Sequence, residues 1–374
     1  MKPVFQTLCD LIRINSINPA YEGGRPEAEM AAYIRQFFAA RHIETWEQEV
    51  FPDRPNLIAR LPGRNPSRRV VFEAHTDTAS VAGMSIPPFE PEIRGRLLYG
   101  RGACDTKAGL AAMMHALGSL AEERLAPPCE IWMVAAADEE YSYRGVLKLC
   151  EGLTAVAGVV SEPTSMRLVI AHKGCVRFRV HTRGVAAHSA KPELGVNAIA
   201  AMARVVLAIE KDAETLAQVT HPLLGQPTCN IGIIRGGTQV NIVPDGCAIE
   251  IDRRSLPCEE ISQVLEHYDR LLAAIPGVDA RLDPPMLASA PLDTPADSPV
   301  AAVAAQLLSG MGLDPAPAGV PYGSDASKLA QAGIPSIVVG PGSIDQAHAA
   351  VEYVDLGEVE QALEFYRKFM LEFE

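Results

Sequence analysis

The sequence predicts an α/β fold: a domain built on a mixed, largely parallel sheet with flanking helices, interrupted by a smaller α+β domain. Three observations predict it. Short apolar runs alternate with helix-period segments up to about Val160, as in sheets with crossover helices. Near Lys173 the pattern changes to strands with one apolar and one polar face, in the order strand, helix, strand, strand, helix, strand. Segments of the first kind resume after Pro299. At 374 residues the chain exceeds the usual size of one core, and 48% hydrophobic with 21% charged residues supports normal cores without staples.

The elements follow in order. Residues 27–40 place Ala28, Ala31, Ile34 and Phe38 on one helical face. Val50, residues 57–59 and residues 70–74 read as strands. Residues 108–120, small and apolar nearly all round, read as a buried helix, and residues 131–137 and 158–160 as strands buried on both faces. Val176, Phe178 and Val180 alternate with Arg177, Arg179 and His181, a strand wet on one side. A helix over 196–216, strands over 230–234 and 247–252, a helix over 259–274 and a strand over 278–282 complete the split βαβ order. The Pro-rich stretch 284–299 reads as the return linker. Asp355 with Glu358 is a capping-box signal for the last helix. The expected division is 1–173 and 287–374 for the main domain and 174–286 for the insertion.

Charge narrows the function. A formal charge of -13 and a pI near 5.2 argue against nucleic acid, which needs a basic face, and leave no polybasic segment for a membrane surface. No apolar stretch reaches the roughly 20 residues of a span. The opening Met1-Lys2-Pro3-Val4 is no leader, so a cytoplasmic protein is expected. The 8 cysteines include no CxxC pair and read as core thiols.

Five segments carry metal-ligand side chains, most of them after an apolar strand. His75-Thr76-Asp77 ends the first; residues two apart on a strand end share a face, so Asp77 is placed to reach the His75 ring. Asp105 follows the loop 100–104; alone it reads as a helix N-cap, and otherwise as a carboxylate offering one oxygen to each of two cations. Asp138-Glu139-Glu140 sets three acids at a strand end, where dications turn repulsion into attraction. Adjacent Glu side chains point different ways, so one can bind metal while the other faces the attacking water. Glu139 is assigned as general base and Glu140 as ligand, a choice that the local spacing alone does not fix. Glu162 precedes Pro163, and His348 follows the glycine turn 340–342. Two His and three carboxylates, with spare carboxylates beside them, suit a pair of divalent ions at the loop ends where open α/β sheets bind ligands.

With these motifs in hand, the sequence resembles the cocatalytic zinc amidohydrolases and exopeptidases, the family of acetylornithine deacetylase, succinyl-diaminopimelate desuccinylase, aminoacylase and glutamate carboxypeptidase. The matching pieces are His75-Thr76-Asp77, Tyr99 through Lys107, Asp138-Glu139-Glu140, Ser161-Glu162-Pro163-Thr164 and His348 through Val354. The insertion adds Ala187-His188-Ser189-Ala190-Lys191-Pro192, Gly195 through Ile199, Val240 through Pro244 and Asp252-Arg253-Arg254. The resemblance implies a zinc-exopeptidase-like catalytic domain carrying a ferredoxin-like lid and dimerisation domain. It implies two Zn²⁺, with Co²⁺ or Mn²⁺ as substitutes. One ion takes His75 and Glu162, the other Glu140 and His348, and Asp105 bridges both. It implies that Asp77 orients His75, that the Asp105-Thr106 peptide is cis, and that His188 enters the partner subunit's site in a homodimer. Arg254 and Asn241 would contact the substrate carboxylate, with Gly323 and Ser324 lining the pocket. Glu73 stands where the family often has a small residue, and Met84 where many members carry Trp.

The expected activity is hydrolysis of the amide of an N-acyl amino acid, of the acetylornithine deacetylase or succinyl-diaminopimelate desuccinylase type, by a dizinc-activated water with Glu139 as base. A dizinc carboxypeptidase or dipeptidase is the alternative, with a small peptide as substrate. A non-catalytic binding relative would lack a ligand or Glu139, and none is missing. A redox enzyme would want softer ligands or a facial triad.

Overall fold

The computed structural model describes residues 1–374 and divides them into two compact units. The first comprises Met1–Ile170, Thr294–Ala318 and Ser324–Glu374; the second comprises Ala171–Asp293 and Gly319–Gly323.

The first unit is built on the mixed, largely parallel sheet that the apolar runs predict. Its strands lie in the spatial order Glu44–Phe51, Arg54–Leu61, Cys129–Ala136, Asn65–His75, Ala157–Val160 and Ser336–Val338, the last pairing with Val169. The four from Cys129–Ala136 to Ser336–Val338 run parallel, and their registers pair Val70 with both Ile131 and Ala157, and Ser336 with Gly158. Parallel strands finish on one edge of a sheet. Here that edge receives His75, the loop after Ala136, Glu162 and the turn after Val338.

The helix Lys107–Glu122 is buried nearly all round, as its small apolar residues predict, and packs against the helix Leu356–Glu372. The helix Ala28–Ala39 differs in detail. Ala28 is exposed and Met30 takes its place beside Ala31, Ile34 and Phe38, while Glu27 is buried against Arg54. The final helix is capped by half of the expected box. The Asp355 side chain accepts from the Gly357 N–H at 2.6 Å, but Glu358 accepts from the Gly342 N–H at 2.7 Å instead of reaching back.

In the second unit an antiparallel sheet runs Thr228–Gly236, Gly246–Ser255, Gly174–Arg183, Asp279–Leu282. That strand order belongs to the split βαβ arrangement. The helices Ala198–Leu216 and Ile261–Ala273 cover one face, where Val176, Phe178, Val180, Met202, Ile249, Ile251 and Tyr268 form a core. The other face carries cross-strand ion pairs, Arg177 with Asp252 and Arg179 with Glu250. No helix of the chain is long and apolar enough to cross a membrane.

Candidate metal centre

Two donor groups converge at the carboxyl edge of the parallel strands. His75, Asp105 and Glu162 form one; Asp105, Glu140 and His348 form the other, the ligand atoms of each lying within 4.8 Å of one another. Asp105 belongs to both, and its two oxygens face opposite ways. Oδ1 lies 3.0 Å from His75 Nε2, and Oδ2 lies 3.3 Å from His348 Nε2. Glu162 Oε1 stands 3.9 Å from His75 Nε2, and Glu140 Oε2 stands 3.1 Å from His348 Nε2. The Asp105-Thr106 peptide is cis.

The electrostatics call for positive charge. Burial pushes the Glu162 carboxyl well above its ordinary range, and neighbouring Asp105 adds to it. Burial likewise raises Glu139 and Glu140. Burial also pushes Asp105 upward, but hydrogen bonds from His348 and His75 outweigh it and hold the carboxyl well below the usual range. His348, held between Asp105 and Glu140, is raised to about 11. Carboxylate and imidazole donors converging on a shared, buried carboxylate fit a pair of divalent ions.

Glu139 lies beside these donors, half-buried, with its N–H bound to Asp77. Asp77 differs from expectation. His75 Nδ1 meets the main-chain carbonyl of Asp77 at 2.9 Å, while the nearer carboxylate oxygen lies 3.8 Å away. The carboxylate accepts instead from the N–H groups of Glu139 and Glu140, each at 3.1 Å. The residue thus holds the ring by its backbone and the acidic loop by its side chain.

The remaining assigned residues are not among these donor groups. His188 is exposed in the second unit, its Nδ1 accepting from the Ala190 N–H at 3.1 Å, on a segment bridged to that of Asn241 and Ile242. Arg254 is tied to Asp252 through Nε at 2.6 Å. Gly323 falls in the second unit; Ser324, in the first, is buried and its Oγ accepts from the Ala326 N–H. Glu73 is buried, and burial raises its carboxyl to about 8.

Several supporting residues escaped sequence reasoning. Glu352 is fully buried and accepts from the N–H groups of Cys104 and Asp105 at 2.9 and 3.0 Å, while its other oxygen takes Arg101 Nη1 at 2.6 Å. It fixes the peptide that carries Asp105. Its place in the motif after His348 was the available signal, without a role attached. Asn18 and Tyr21 contact the acidic loop, and the Asn18-Pro19 dipeptide signals only a turn.

Comparison with known proteins places this geometry in context. The model of peptidase family M20/M25/M40 matches residues 71–372. An acetylornithine deacetylase from Myxococcus xanthus is 30% identical over 349 residues, covering 90% of this chain and 89% of that one. The aminopeptidase PepT from Bacillus cereus is 25% identical with a TM-score of 0.81, covering 98% of this chain and 97% of that one. A dinuclear metal binding peptidase of Bacillus subtilis shares the fold, at 18% identity and a TM-score of 0.75 over 99% of this chain and 98% of that one.

Proposed function

The chain belongs to peptidase family M20/M25/M40, a family of metal-dependent hydrolases, and on that premise we propose that it cleaves the amide bond of an N-acyl amino acid at a site holding two Zn²⁺ ions. The single observation that carries the reading is the splayed Asp105 carboxylate, one oxygen toward His75 and the other toward His348. In this proposal His75 and Glu162 would hold one ion, Glu140 and His348 the other, and Asp105 would serve both. The ions would supply acidity to a water and polarise the scissile carbonyl. Glu139 accepts the water's proton and returns it to the leaving amine. Asp77 and Glu352 hold the peptides that carry Glu139, Glu140 and Asp105.

Three further assignments rest on the family resemblance. His188, supplied by a second copy, donates to the carbonyl oxygen as it gains charge. Arg254 and Asn241 take the substrate carboxylate, and Gly323 and Ser324 border the pocket. The dimer would form through the second unit, whose strand Thr228–Gly236 is an edge strand exposing Ile233 and Ile234.

A small peptide is the second substrate class, favoured by the likeness to an aminopeptidase at a TM-score of 0.81. A panel of N-acetyl, N-succinyl and N-formyl amino acids and dipeptides, assayed with Zn²⁺ and with Co²⁺, tests both. The proposal expects turnover of an N-acyl amino acid that a chelator abolishes and metal restores. Turnover of dipeptides alone replaces the first reading with the second; turnover that survives chelation ends both.

A further inference from the structure

We propose that Asn18 is a positioning residue for Glu139, acting through the loop that carries the base; the inference rests on the hydrolase reading only for the identity of the reaction. Asn18 is buried at 0% exposure. Its Nδ2 donates to Asp77 Oδ2 at 2.8 Å and to Asp138 Oδ1 at 2.9 Å. Its Oδ1 accepts from the Ala20 N–H at 3.0 Å, so every polar atom of the amide has a partner. The backbone is pinned as well: the Asn18 N–H donates to the Thr78 carbonyl and the Thr78 N–H to the Ser16 carbonyl, each at 2.9 Å.

The two carboxylates joined by this amide grip the acidic loop from both sides. Asp77 holds the N–H groups of Glu139 and Glu140. Asp138 opens the loop in the left-handed region, with φ 67°, a conformation that an L side chain keeps only when its surroundings enforce it. Arg54 supports Asp138 at 2.9 Å and is itself bound twice to Glu27 at 2.7 Å. Tyr21, three residues beyond Asn18, donates its hydroxyl to the Glu140 carbonyl at 2.8 Å.

Without the Asn18 amide, Asp77 and Asp138 lose the donor that links them, and the Asp138 carboxylate keeps only Arg54 and Ser142. The lost link loosens the loop that aims Glu139. Of the metal ligands only Glu140 rides on this loop, and it keeps the Tyr21 hydroxyl on its carbonyl; Asp105 is held separately through Glu352. Asn18 therefore bears on the aim of the base and on one ligand of the five. A misplacement of order 1 Å in a reacting group costs up to about 100-fold in rate.

The test compares wild type with Asn18→Ala and with Asn18→Ser, which keeps an oxygen for the Ala20 N–H should the first variant fold poorly. Hydrogen exchange of the full-length, metal-free proteins is followed by mass spectrometry. Faster exchange across residues 138–143, with the strands of the second unit unchanged, is expected. On the Zn²⁺-loaded proteins kcat falls about 10- to 100-fold while KM stays within about twofold and both ions remain bound by elemental analysis. Wild-type kcat in both variants, unchanged exchange across the loop, or a rate loss that tracks loss of metal would overturn the proposal. Were wild type inactive on every amide of the panel, the hydrolase reading would fall, and the exchange comparison would still decide the clamp.

Discussion

In the proposed reaction the chain neighbours Glu139 and Glu140 have separable tasks, and single substitutions should separate them. Glu139→Ala keeps both metals and loses about 10²- to 10⁴-fold in kcat. Glu140→Ala instead loses one metal by elemental analysis; full occupancy there would reverse the two assignments. At Glu352 the expected loss is structural. Glu352→Ala leaves the Arg101 guanidinium, 2% exposed, without its carboxylate. Stranding a buried charge costs about 3–5 kcal/mol, to be read from the urea midpoint. The donors themselves were legible in the sequence because each ends an apolar strand or a glycine loop. Asn18, Arg101 and Glu352 were not, because they act by single hydrogen bonds across long chain separations that no local pattern records. Asp77 was half legible: its position beside His75 could be read, but not that its carboxylate turns to the Glu139 and Glu140 amides.

The helix Lys107–Glu122 carries two expectations of its own. A Cβ on Gly109 would stand 1.7 Å from Ser161 Oγ, beside Glu162, so Gly109→Ala must displace the strand end. Such overpacking costs about 1–3 kcal/mol and should weaken metal binding at His75 and Glu162. Gly118→Ala is the control, since its Cβ meets the flexible Arg41 side chain at 2.9 Å and the Phe37 ring no closer than 3.4 Å. A wild-type melt and metal content in Gly109→Ala would contradict this packing. Further along the helix, His115 lies 2.8 Å from Thr7 Oγ1, and burial, aided by Arg41, lowers its pKa from 6.5 to about 4. The unfolded chain therefore takes up a proton that the folded chain refuses. The stability this gives is whole above pH 6.5 and is lost progressively toward pH 4. Acidification from pH 7.5 to 5 should lower the melting temperature of wild type more than that of His115→Gln. Helix position and burial were readable from composition; the exposure of Ala28 was not, because Met30 fills the buried face and the buried Glu27 pairs with Arg54 across a chain separation no local pattern records.

For the whole molecule, the sheet explains why the site could be foreseen. Parallel strands send their carboxyl ends to one edge, so apolar runs that finish in acids or His must meet there. The chain gathers Asp105, Glu139, Glu140 and Glu162 at that edge. Cations that bind only the folded state stabilise it by mass action, about 4 kcal/mol at a thousandfold excess over Kd. Chelation should accordingly lower the melting temperature, and Zn²⁺ should restore it. The dimer proposal predicts a sedimenting mass twice the 40.1 kDa chain, reduced by charged substitutions at Ile233 and Ile234.

The two donor sets differ in their access to water. His75 is sealed at 2% side-chain exposure, whereas His348 presents 54%. If the proposed pair of ions is bound, dialysis against a chelator should release the one at His348 in a fast phase and the one at His75 in a slow phase. A preparation drawn between those phases would be a uniform half-loaded species, into which a spectroscopically distinct second metal could be introduced.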